Sequence, residues 1–184
     1  MKNELRIIGG TWRSRKLKFP DAQGLRPTAD RIRETLFNWL GQNLEGLSCL
    51  DLFAGSGALG FEAASRLARR VVQVEQDRAV CQALKANCEL LGATPVAVVQ
   101  ADVLRFLQGA PEAFQIVFMD PPFQLGGHAQ VCRLLEDRGW LAPMARIYVE
   151  SPSSHTLEDL PESWQILRAK KAGAVDYRLY QRTA

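Results

Sequence analysis

Short apolar segments alternate with helical segments from residue 48 onward, and this alternation limits the possible folds more than any other feature of the chain. The apolar segments lie at 49–53, 71–75, 96–101, 116–119 and 146–150, and the helical stretches lie near 58–68, 77–91, 103–108 and 127–138. Short, nearly continuous apolar strands joined by helices predict a parallel sheet with helices on both faces. Two last runs, about 164–170 and 175–182, leave no room for a helix between them and predict an antiparallel hairpin. The sequence therefore predicts an α/β fold with a doubly wound, mostly parallel, seven-stranded sheet that ends in an antiparallel hairpin.

A small β-hairpin is predicted ahead of this sheet. Residues 5–8 and 13–19 are compatible with strands, and they flank the glycine-containing segment 9–12. Glycines between two such runs favour a hairpin turn. We therefore predict an N-terminal hairpin extension over residues 1–24 and a main domain over residues 25–184.

The segment between the hairpin and the sheet is expected to form a loop and then one helix. Residues 20–27 contain two prolines and a glycine, which predict the loop. Thr28 is the predicted N-cap of a helix through about Leu40, since its hydroxyl could accept a hydrogen bond from a backbone N–H of the first turn. Ile32 and Leu36 lie at helical spacing and predict the buried face of this helix.

The basic residues are concentrated near the N-terminus. The first 33 residues contain nine Lys or Arg and three Asp or Glu, whereas the whole chain has a formal net charge of only +3. A basic segment on a near-neutral body indicates a polyanionic partner. A solvated basic surface without a partner would have the same composition, so charge alone leaves both interpretations open.

A glycine-rich segment follows the first predicted strand of the sheet and opens a helix. Residues 51–60 have the G-x-G-x-x-G spacing of dinucleotide-binding loops, and Glu75 ends the next strand. Glu75 could accept hydrogen bonds from the ribose hydroxyls of a dinucleotide or of S-adenosylmethionine. Asp51 favours S-adenosylmethionine, because a carboxylate beside the loop would repel a pyrophosphate but attract an ammonium and a sulfonium group. The cofactor-binding residues predicted here are Asp51, Phe53, Ala54, Gly55, Ser56, Gly57, Gly60 and Glu75.

A third acidic residue, Asp102, ends the third predicted strand. Ligands of doubly wound sheets lie across the carboxyl ends of the strands. Asp102 could therefore accept a hydrogen bond from the amino group of adenine, and the backbone N–H of Val103 could reach the ring. Asp51, Glu75 and Asp102 end three successive strands, and this repetition strengthens the cofactor prediction.

The tetrapeptide Asp120-Pro121-Pro122-Phe123 follows the fourth predicted strand and is the most specific motif in the chain. The exocyclic amine of a nucleobase is a poor nucleophile because its lone pair is delocalised into the ring. The carboxylate of Asp120 and the carbonyl of Pro121 could each accept one amine N–H and so orient that lone pair, while the prolines fix the backbone. Phe123 could stack on the base. The motif predicts transfer of a methyl group to such an amine without a covalent enzyme intermediate.

Metal binding, secretion and membrane insertion have no sequence signal in this chain. The four cysteines and two histidines lack the spacing of zinc ligands. No apolar run approaches the ~20 residues that a membrane span needs, and the N-terminus is charged without an apolar signal segment. We expect a cytoplasmic protein without a metal and without a membrane partner.

Five segments together resemble a known family. Residues 6–10, 13–17 and 24–40, with the glycine loop 51–60 and the motif 120–123, closely resemble the bacterial 16S rRNA (guanine(966)-N(2))-methyltransferases. These are class I S-adenosylmethionine-dependent methyltransferases, and the resemblance covers nearly the whole chain. The N-terminal segments are specific to this family, whereas the other two motifs occur in many amino-methyltransferases. Ser14 and Ala29 differ from the residues that family members often carry there, and neither touches the predicted chemistry.

The resemblance implies a substrate and an RNA-binding surface. It implies that the partner is 16S rRNA within the small ribosomal subunit or an assembly intermediate, and that the target is the N2 amine of an exposed guanine. It also implies that S-adenosylmethionine is the cofactor; we expect a monomer. The basic hairpin could then contact phosphates, and its tryptophan could stack on a base. The residues predicted to bind RNA are Arg6, Trp12, Arg13, Arg15, Lys16, Arg26 and Arg31.

Three other functions share parts of this pattern. A DNA amino-methyltransferase would share residues 120–123, but it usually carries a target-recognition insertion for which no stretch here is long enough. A nicotinamide-dependent oxidoreductase would share the glycine loop, but Asp51 and the lack of a Tyr-Lys or His-Asp pair argue against it. A non-catalytic RNA-binding assembly factor would share the fold, but the intact tetrapeptide argues against loss of catalysis.

Overall fold

A seven-stranded sheet forms the centre of the molecule. The computed structural model describes residues 3–21, 28–122 and 127–184. The strands of the sheet are β3 (Ser48–Asp51), β4 (Arg70–Glu75), β5 (Val96–Gln100), β6 (Phe114–Met119), β7 (Leu141–Pro152), β8 (Trp164–Ala172) and β9 (Val175–Arg182). Their order across the sheet is β5-β4-β3-β6-β7-β9-β8. All pairs from β5 to β7 are parallel, and β9 is antiparallel to both β7 and β8. The predicted fold class is confirmed.

Within the described residues, five helices flank the sheet. They are α1 (Asp30–Leu40), α2 (Ala58–Ser65), α3 (Arg78–Leu91), α4 (Val103–Leu107) and α5 (His128–Asp137). One hydrophobic cluster joins α4 and α5 to the sheet, and a second joins α1 and α2 to it. The strands β3 and β6 are buried almost throughout, because helices cover the sheet on both faces. None of the helices described is both long and apolar enough to cross a membrane.

The N-terminal residues form the predicted hairpin, with shorter strands than expected. Strand β1 (Asn3–Arg6) pairs with β2 (Lys16–Phe19), and Leu5 lies opposite Leu17. The apolar face of the hairpin packs against α2 and α3 in a third hydrophobic cluster. The side chain of Asn87 on α3 bonds to both the N–H and the carbonyl of Lys18, at 3.4 and 2.9 Å. The hairpin is therefore attached to the helices by both apolar packing and backbone hydrogen bonds.

The predicted cap of α1 was wrong. The residue preceding α1 is Ala29, which makes no side-chain cap hydrogen bond. The hydroxyl of Thr28 instead donates to the carboxylate of Asp120, 3.2 Å away and 92 residues later in the chain. The hydroxyl of Thr28, which the local sequence predicted as a cap of α1, therefore bonds to a residue distant in the chain instead.

Two other boundaries differ from the sequence prediction. Helix α2 ends at Ser65 rather than near residue 68, and Leu67 has a left-handed φ of 74°. Strand β7 begins at Leu141 rather than near residue 146, with a register shift opposite β6 and a left-handed φ of 59° at Met144. Both differences occur where a single left-handed residue turns the chain, which apolar periodicity does not report.

Candidate active site

A cavity of about 560 Å³ opens at the carboxyl ends of the parallel strands. It lies beside β3 and β6, where the order of strands reverses and where doubly wound sheets bind their ligands. Its size is within the range of small-molecule and cofactor sites. Ala174, in the turn between β8 and β9, and Val175, the first residue of β9, contribute to its wall.

Most of the predicted cofactor residues line this cavity. Those that do are Asp51, Phe53, Ala54, Gly55, Ser56, Glu75, Asp102 and Val103. Gly57 and Gly60 are not among its lining residues. A Cβ on Gly57 would lie 2.5 Å from the ring of Phe61, and one on Gly60 would lie 2.3 Å from the amide of Gln73. These two glycines allow α2 to pack closely against its own next turn and against β4.

Asp51 is buried and bonded to the start of α2. Its side chain is 2% exposed, and its Oδ2 accepts a hydrogen bond from the backbone N–H of Gly60 at 3.1 Å. Burial, assisted by the negative charges of Asp120 and Glu75, raises the pKa of Asp51 to about 7. A cationic group in the cavity would favour the ionised form of this carboxyl.

Glu75 and Asp102 are both oriented by backbone N–H groups. The carboxylate of Glu75 accepts from Gly55 at 3.0 Å and from Asp77 at 2.8 Å. Asp102 caps α4 by accepting from the N–H of Arg105 at 3.0 Å. An ionised carboxylate has about four acceptor positions, so each retains capacity for donors in the cavity. Three fixed acceptors in one cavity of this volume fit the ammonium, the ribose hydroxyls and the adenine amine of S-adenosylmethionine.

The structure brings a second carboxyl, that of Glu150, next to Asp120. Both line the cavity, and the two carboxyls are within hydrogen-bonding reach of each other. The hydroxyl of Tyr148 donates to Glu150 at 2.7 Å, and that of Thr28 donates to Asp120 at 3.2 Å. Burial raises the pKa of Asp120 to about 6, and burial together with the charge of Asp120 holds the pKa of Glu150 well above its usual value.

The structure describes two of the three residues that follow Asp120 in the predicted tetrapeptide. Pro121 and Pro122 line the cavity directly after Asp120. Phe123 lies outside the described residues. Among residues 3–21, 28–122 and 127–184, no three or more His, Cys, Asp or Glu side chains are grouped so that they could hold a metal ion.

His128, the first residue of α5, is half-buried. Its Nε2 lies 3.2 Å from the backbone carbonyl of Glu150, and burial lowers the pKa of the ring. The ring therefore contacts the strand that carries Glu150.

The basic residues predicted to contact RNA differ in their surroundings. Arg6, Arg13, Arg15, Lys16 and Arg31 are exposed, and Arg26 lies outside the described residues. Lys16 pairs with Glu4 at 3.2 Å, and Arg15 donates to the carbonyl of Leu90 at 3.1 Å. Arg13 has no ion-pair or side-chain hydrogen-bond partner in the part of the chain that the structure describes. The ring of Trp12 is half-buried against two hydrophobic clusters, so only part of it faces solvent.

A second depression connects this basic hairpin to the cavity. It has a volume of about 350 Å³ and is lined by the basic Arg6 and Lys16, the acidic Glu4 and Asp30, and Leu5, Thr28 and Ala29. Thr28 and Ala29 also line the larger cavity. Two cations of the hairpin thus lie in the same depression as Thr28, which donates to Asp120.

The chain matches proteins of known family along nearly its whole length. The family described as Conserved hypothetical protein 95 matches residues 5–181. Ribosomal RNA small subunit methyltransferase D of Escherichia coli is 52% identical over 181 residues, which cover 98% of this chain and 91% of that protein. The protein of the same name from Haemophilus influenzae is 46% identical, with 98% and 95% covered. The chain belongs to this methyltransferase family.

Solved structures agree with the family assignment. The Escherichia coli protein yhhF superposes on this family member with a TM-score of 0.92 and 52% identity, over 99% of each chain. The precorrin-6y C5,15-methyltransferase of Geobacter metallireducens superposes with a TM-score of 0.69 and 18% identity, over 89% of this chain and 94% of that one. At that low identity, the second structure shows a shared fold only.

Two residues of the site were missed by the sequence analysis of this family member. Glu150 ends the apolar run 146–150 from which this strand was predicted, although β7 itself continues to Pro152, and the argument applied to Asp51 and Glu75 could have found it. Thr28 had no comparable signal, because its partner Asp120 is 92 residues away.

Proposed function

We propose that the chain transfers a methyl group from S-adenosylmethionine to the exocyclic N2 amine of a guanine in the 16S rRNA of the small ribosomal subunit. The observation that carries this proposal is the position of Asp120, Pro121 and Pro122 in the same cavity as the acidic ends of β3 and β4. A site for a nucleobase amine thus adjoins a site for a cationic cofactor. Membership of the family supports ribosomal RNA as the substrate, acted on in the cytoplasm by a monomer.

Five residues would hold the cofactor, which supplies an electrophilic methyl group on its sulfonium when bound. Glu75 would accept the ribose hydroxyls, Asp102 the adenine amine, and the N–H of Val103 would reach the ring. Asp51 would attract the cationic methionyl end, while its bond to Gly60 keeps the loop in place. Gly55, whose N–H is held by Glu75, would let the backbone approach the ligand closely.

Asp120 and the carbonyl of Pro121 would orient the target amine. Each accepts one N–H of the amine, which aims the nitrogen lone pair at the cofactor side of the cavity for direct in-line transfer. Positioning of this kind supplies much of the rate enhancement in a reaction between two bound groups. The nitrogen would bond to the methyl carbon as the bond from that carbon to sulfur breaks, which leaves the neutral thioether S-adenosylhomocysteine. The amine proton would then leave to Asp120 or to water. Phe123 would stack on the base and hold its plane.

The N-terminal extension, residues 1–24, would bind the RNA next to the target base. Its exposed Arg6 and Lys16 line the depression that leads to Thr28 and so to the cavity. A guanine amine in a paired helix is inaccessible, so the target base must be flipped out or come from a loop.

The test is methyl transfer from labelled S-adenosylmethionine to small ribosomal subunits that lack this modification, with naked 16S rRNA and DNA alongside. Digestion to nucleosides should give label in N2-methylguanosine from the subunits. Label on DNA alone would favour a DNA amino-methyltransferase, and label on naked RNA alone would contradict the proposed substrate. Cofactor binding without transfer to any acceptor would favour a non-catalytic assembly factor.

A further inference from the structure

Two carboxyl groups stand side by side where the pairing of two neighbouring parallel strands ends. Met119 of β6 lies opposite Val149 of β7 in their last pair, so Asp120, which follows β6, lies beside Glu150, which stays in β7 and pairs with Tyr177 of β9. Both line the cavity, and their carboxyls are within hydrogen-bonding reach of each other. Amine orientation by Asp120 and Pro121 does not require Glu150, so the function proposed above leaves this second carboxyl without a role.

Glu150 is fixed as firmly as Asp120. Its side chain is 4% exposed, and the O–H of the fully buried Tyr148 donates to its Oε1 at 2.7 Å. The O–H of Thr28 donates to Asp120 at 3.2 Å and is also within hydrogen-bonding reach of Glu150. Of the other titratable groups nearby, Asp51 on β3 interacts electrostatically with Asp120, and the ring of His128 lies 3.2 Å from the backbone carbonyl of Glu150. Two acceptors are thus held in adjacent positions on the cavity wall without a cation beside them among the residues described.

Adjacent acceptors match one nucleobase better than the others. Guanine presents its N1–H directly beside its exocyclic amine, so its edge offers two neighbouring donors. Adenine and cytosine present an unprotonated ring nitrogen beside their amines, so a second acceptor there would face a lone pair. A flipped base is read through such edge contacts, and a buried acceptor left without a donor costs free energy.

We propose that Glu150 is the residue that selects guanine: it accepts the N1–H of the base while Asp120 accepts the neighbouring amine. This inference rests on the proposed function. Glu150 can accept the N1–H of guanine whether its carboxyl is ionised or neutral. When neutral, its carbonyl oxygen still accepts the N1–H, and its own O–H donates to the carboxylate of Asp120.

The experiment replaces the target guanine by 2-aminopurine, which keeps the N2 amine but has an unprotonated N1. Small subunits are reconstituted with 16S rRNA that carries guanine or 2-aminopurine at the target position, introduced by splinted ligation. Transfer of label to each substrate is measured for the wild type and for Glu150→Gln. The wild type should prefer guanine by roughly 10- to 100-fold in kcat/KM, the effect of one mispaired buried polar group.

Glu150→Gln should reduce this preference by at least about tenfold. The amide oxygen of Gln can keep the bond to Tyr148, which turns its NH2 toward the base, where it donates to the N1 of 2-aminopurine and opposes the N1–H of guanine. The loss of O6 in 2-aminopurine affects both enzymes equally and cancels in the ratio. A matched control is Glu136→Gln, because Glu136 is a partly buried carboxylate that pairs with Arg182 and Trp164 outside the cavity. Its preference for guanine should equal that of the wild type.

The outcomes separate this inference from the proposed function. A wild type that methylates neither substrate contradicts the proposed function itself. A wild type that methylates both equally, or a Glu150→Gln variant that binds S-adenosylhomocysteine normally and keeps the full preference, overturns the role of Glu150 alone. If Glu150→Gln does not fold, Tyr148→Phe is measured in its place, because it removes the hydroxyl that donates to Glu150. The preference for guanine over 2-aminopurine should then fall, and an unchanged preference overturns the inference.

Discussion

Three carboxyl groups of the cavity are held in surroundings that favour the neutral acid. Burial raises the pKa of Asp51 to about 7 and that of Asp120 to about 6, and the pKa of Glu150 is raised well above its usual value. Each group is buried near the carboxyl end of the parallel strands, where the sheet and its helices exclude water. The cavity residues therefore carry less negative charge near neutral pH than the sequence suggests, and they gain charge when a cation or an N–H donor binds.

The pH dependence of methyl transfer should report the titration of the pair formed by Asp120 and Glu150. A raised pKa means that the proton is retained to higher pH, so the ionised acceptor is present only above about pH 6. We expect single-turnover rates to rise with pH through this region and then to level off. Because the two carboxyls interact, the observed midpoint belongs to the pair.

Asp120→Ala should lower the single-turnover rate by roughly 10²–10³ and remove this inflection, as loss of one positioning contact usually does. The affinity for S-adenosylhomocysteine, measured by calorimetry, should stay nearly unchanged. Asp137→Ala, at an exposed position at the end of α5, is the matched control and should behave as the wild type. A normal rate in Asp120→Ala would refute the role assigned to its carboxylate.

Local sequence predicted those site residues that follow strands, and it missed those that depend on distant contacts. Asp51, Glu75, Asp102 and Asp120 were found because a strand end can be recognised from an apolar run and the polar residue after it. The role of Thr28 was misread, because a threonine before a helix has a local interpretation as a cap. Only the contact between Thr28 and the carboxylate that follows β6 reveals the other partner.

At the scale of elements, one buried carboxylate connects the N-terminal hairpin to α2. Glu62 is fully buried and accepts from the backbone N–H groups of Ile8 and Gly9, at 3.0 and 2.7 Å. It also pairs with the buried guanidinium groups of Arg33 on α1 and Arg66 after α2. One side chain thus satisfies polar groups from three segments, and α2 begins directly after the glycine loop of the cavity.

Glu62→Gln should destabilise the protein by about 3 kcal/mol, because it removes the buried negative charge that two buried guanidinium groups share. Arg33 keeps its ion pair with Asp30, and Arg66 keeps only the neutral amide of Gln42. Urea denaturation followed by circular dichroism measures the loss, and hydrogen exchange should quicken at the amides of Ile8 and Gly9. The control is Glu4→Gln, which removes an exposed ion pair with Lys16 in the same hairpin and should cost under about 1 kcal/mol. Equal losses in the two variants would contradict the connecting role of Glu62.

Element types were predictable from the sequence, whereas the packing of the hairpin was not. The alternation of apolar runs and helices predicted the sheet because each strand is buried on both faces. Nothing local indicated that Glu62 lies at the centre of an ion-pair network, since a glutamate in a helix is usually exposed. Its partners Ile8, Gly9 and Arg33 are separated from it by 29 to 54 residues.

At the scale of the whole molecule, the basic surface and the cavity lie on one path. The hairpin carries exposed cations, Arg6 and Lys16 line the depression beside Thr28, and Thr28 contacts Asp120. The buried contacts of Glu62 hold the hairpin against the helix that follows the glycine loop. Such an arrangement favours an RNA segment that binds along the hairpin while one base enters the cavity.

Because the hairpin and the cavity occupy separate positions, we predict that the cations of the hairpin contribute to RNA binding. Their removal should leave the rate of methyl transfer unchanged. Arg13→Ala combined with Arg15→Ala should weaken binding of the small subunit, and each lost phosphate contact should reduce the slope of log K against log salt concentration by about 0.7–0.9. Filter binding between 50 and 300 mM salt measures the slope, and single-turnover rates at saturating subunit should match the wild type.

Arg70→Ala is the matched control, since Arg70 is exposed and basic but lies at the end of the sheet opposite the cavity. It begins β4 and pairs with Glu112. An unchanged slope in the double variant would remove both arginines from the RNA interface, whereas a slower saturated rate would mean that the hairpin positions the base as well as binding the RNA.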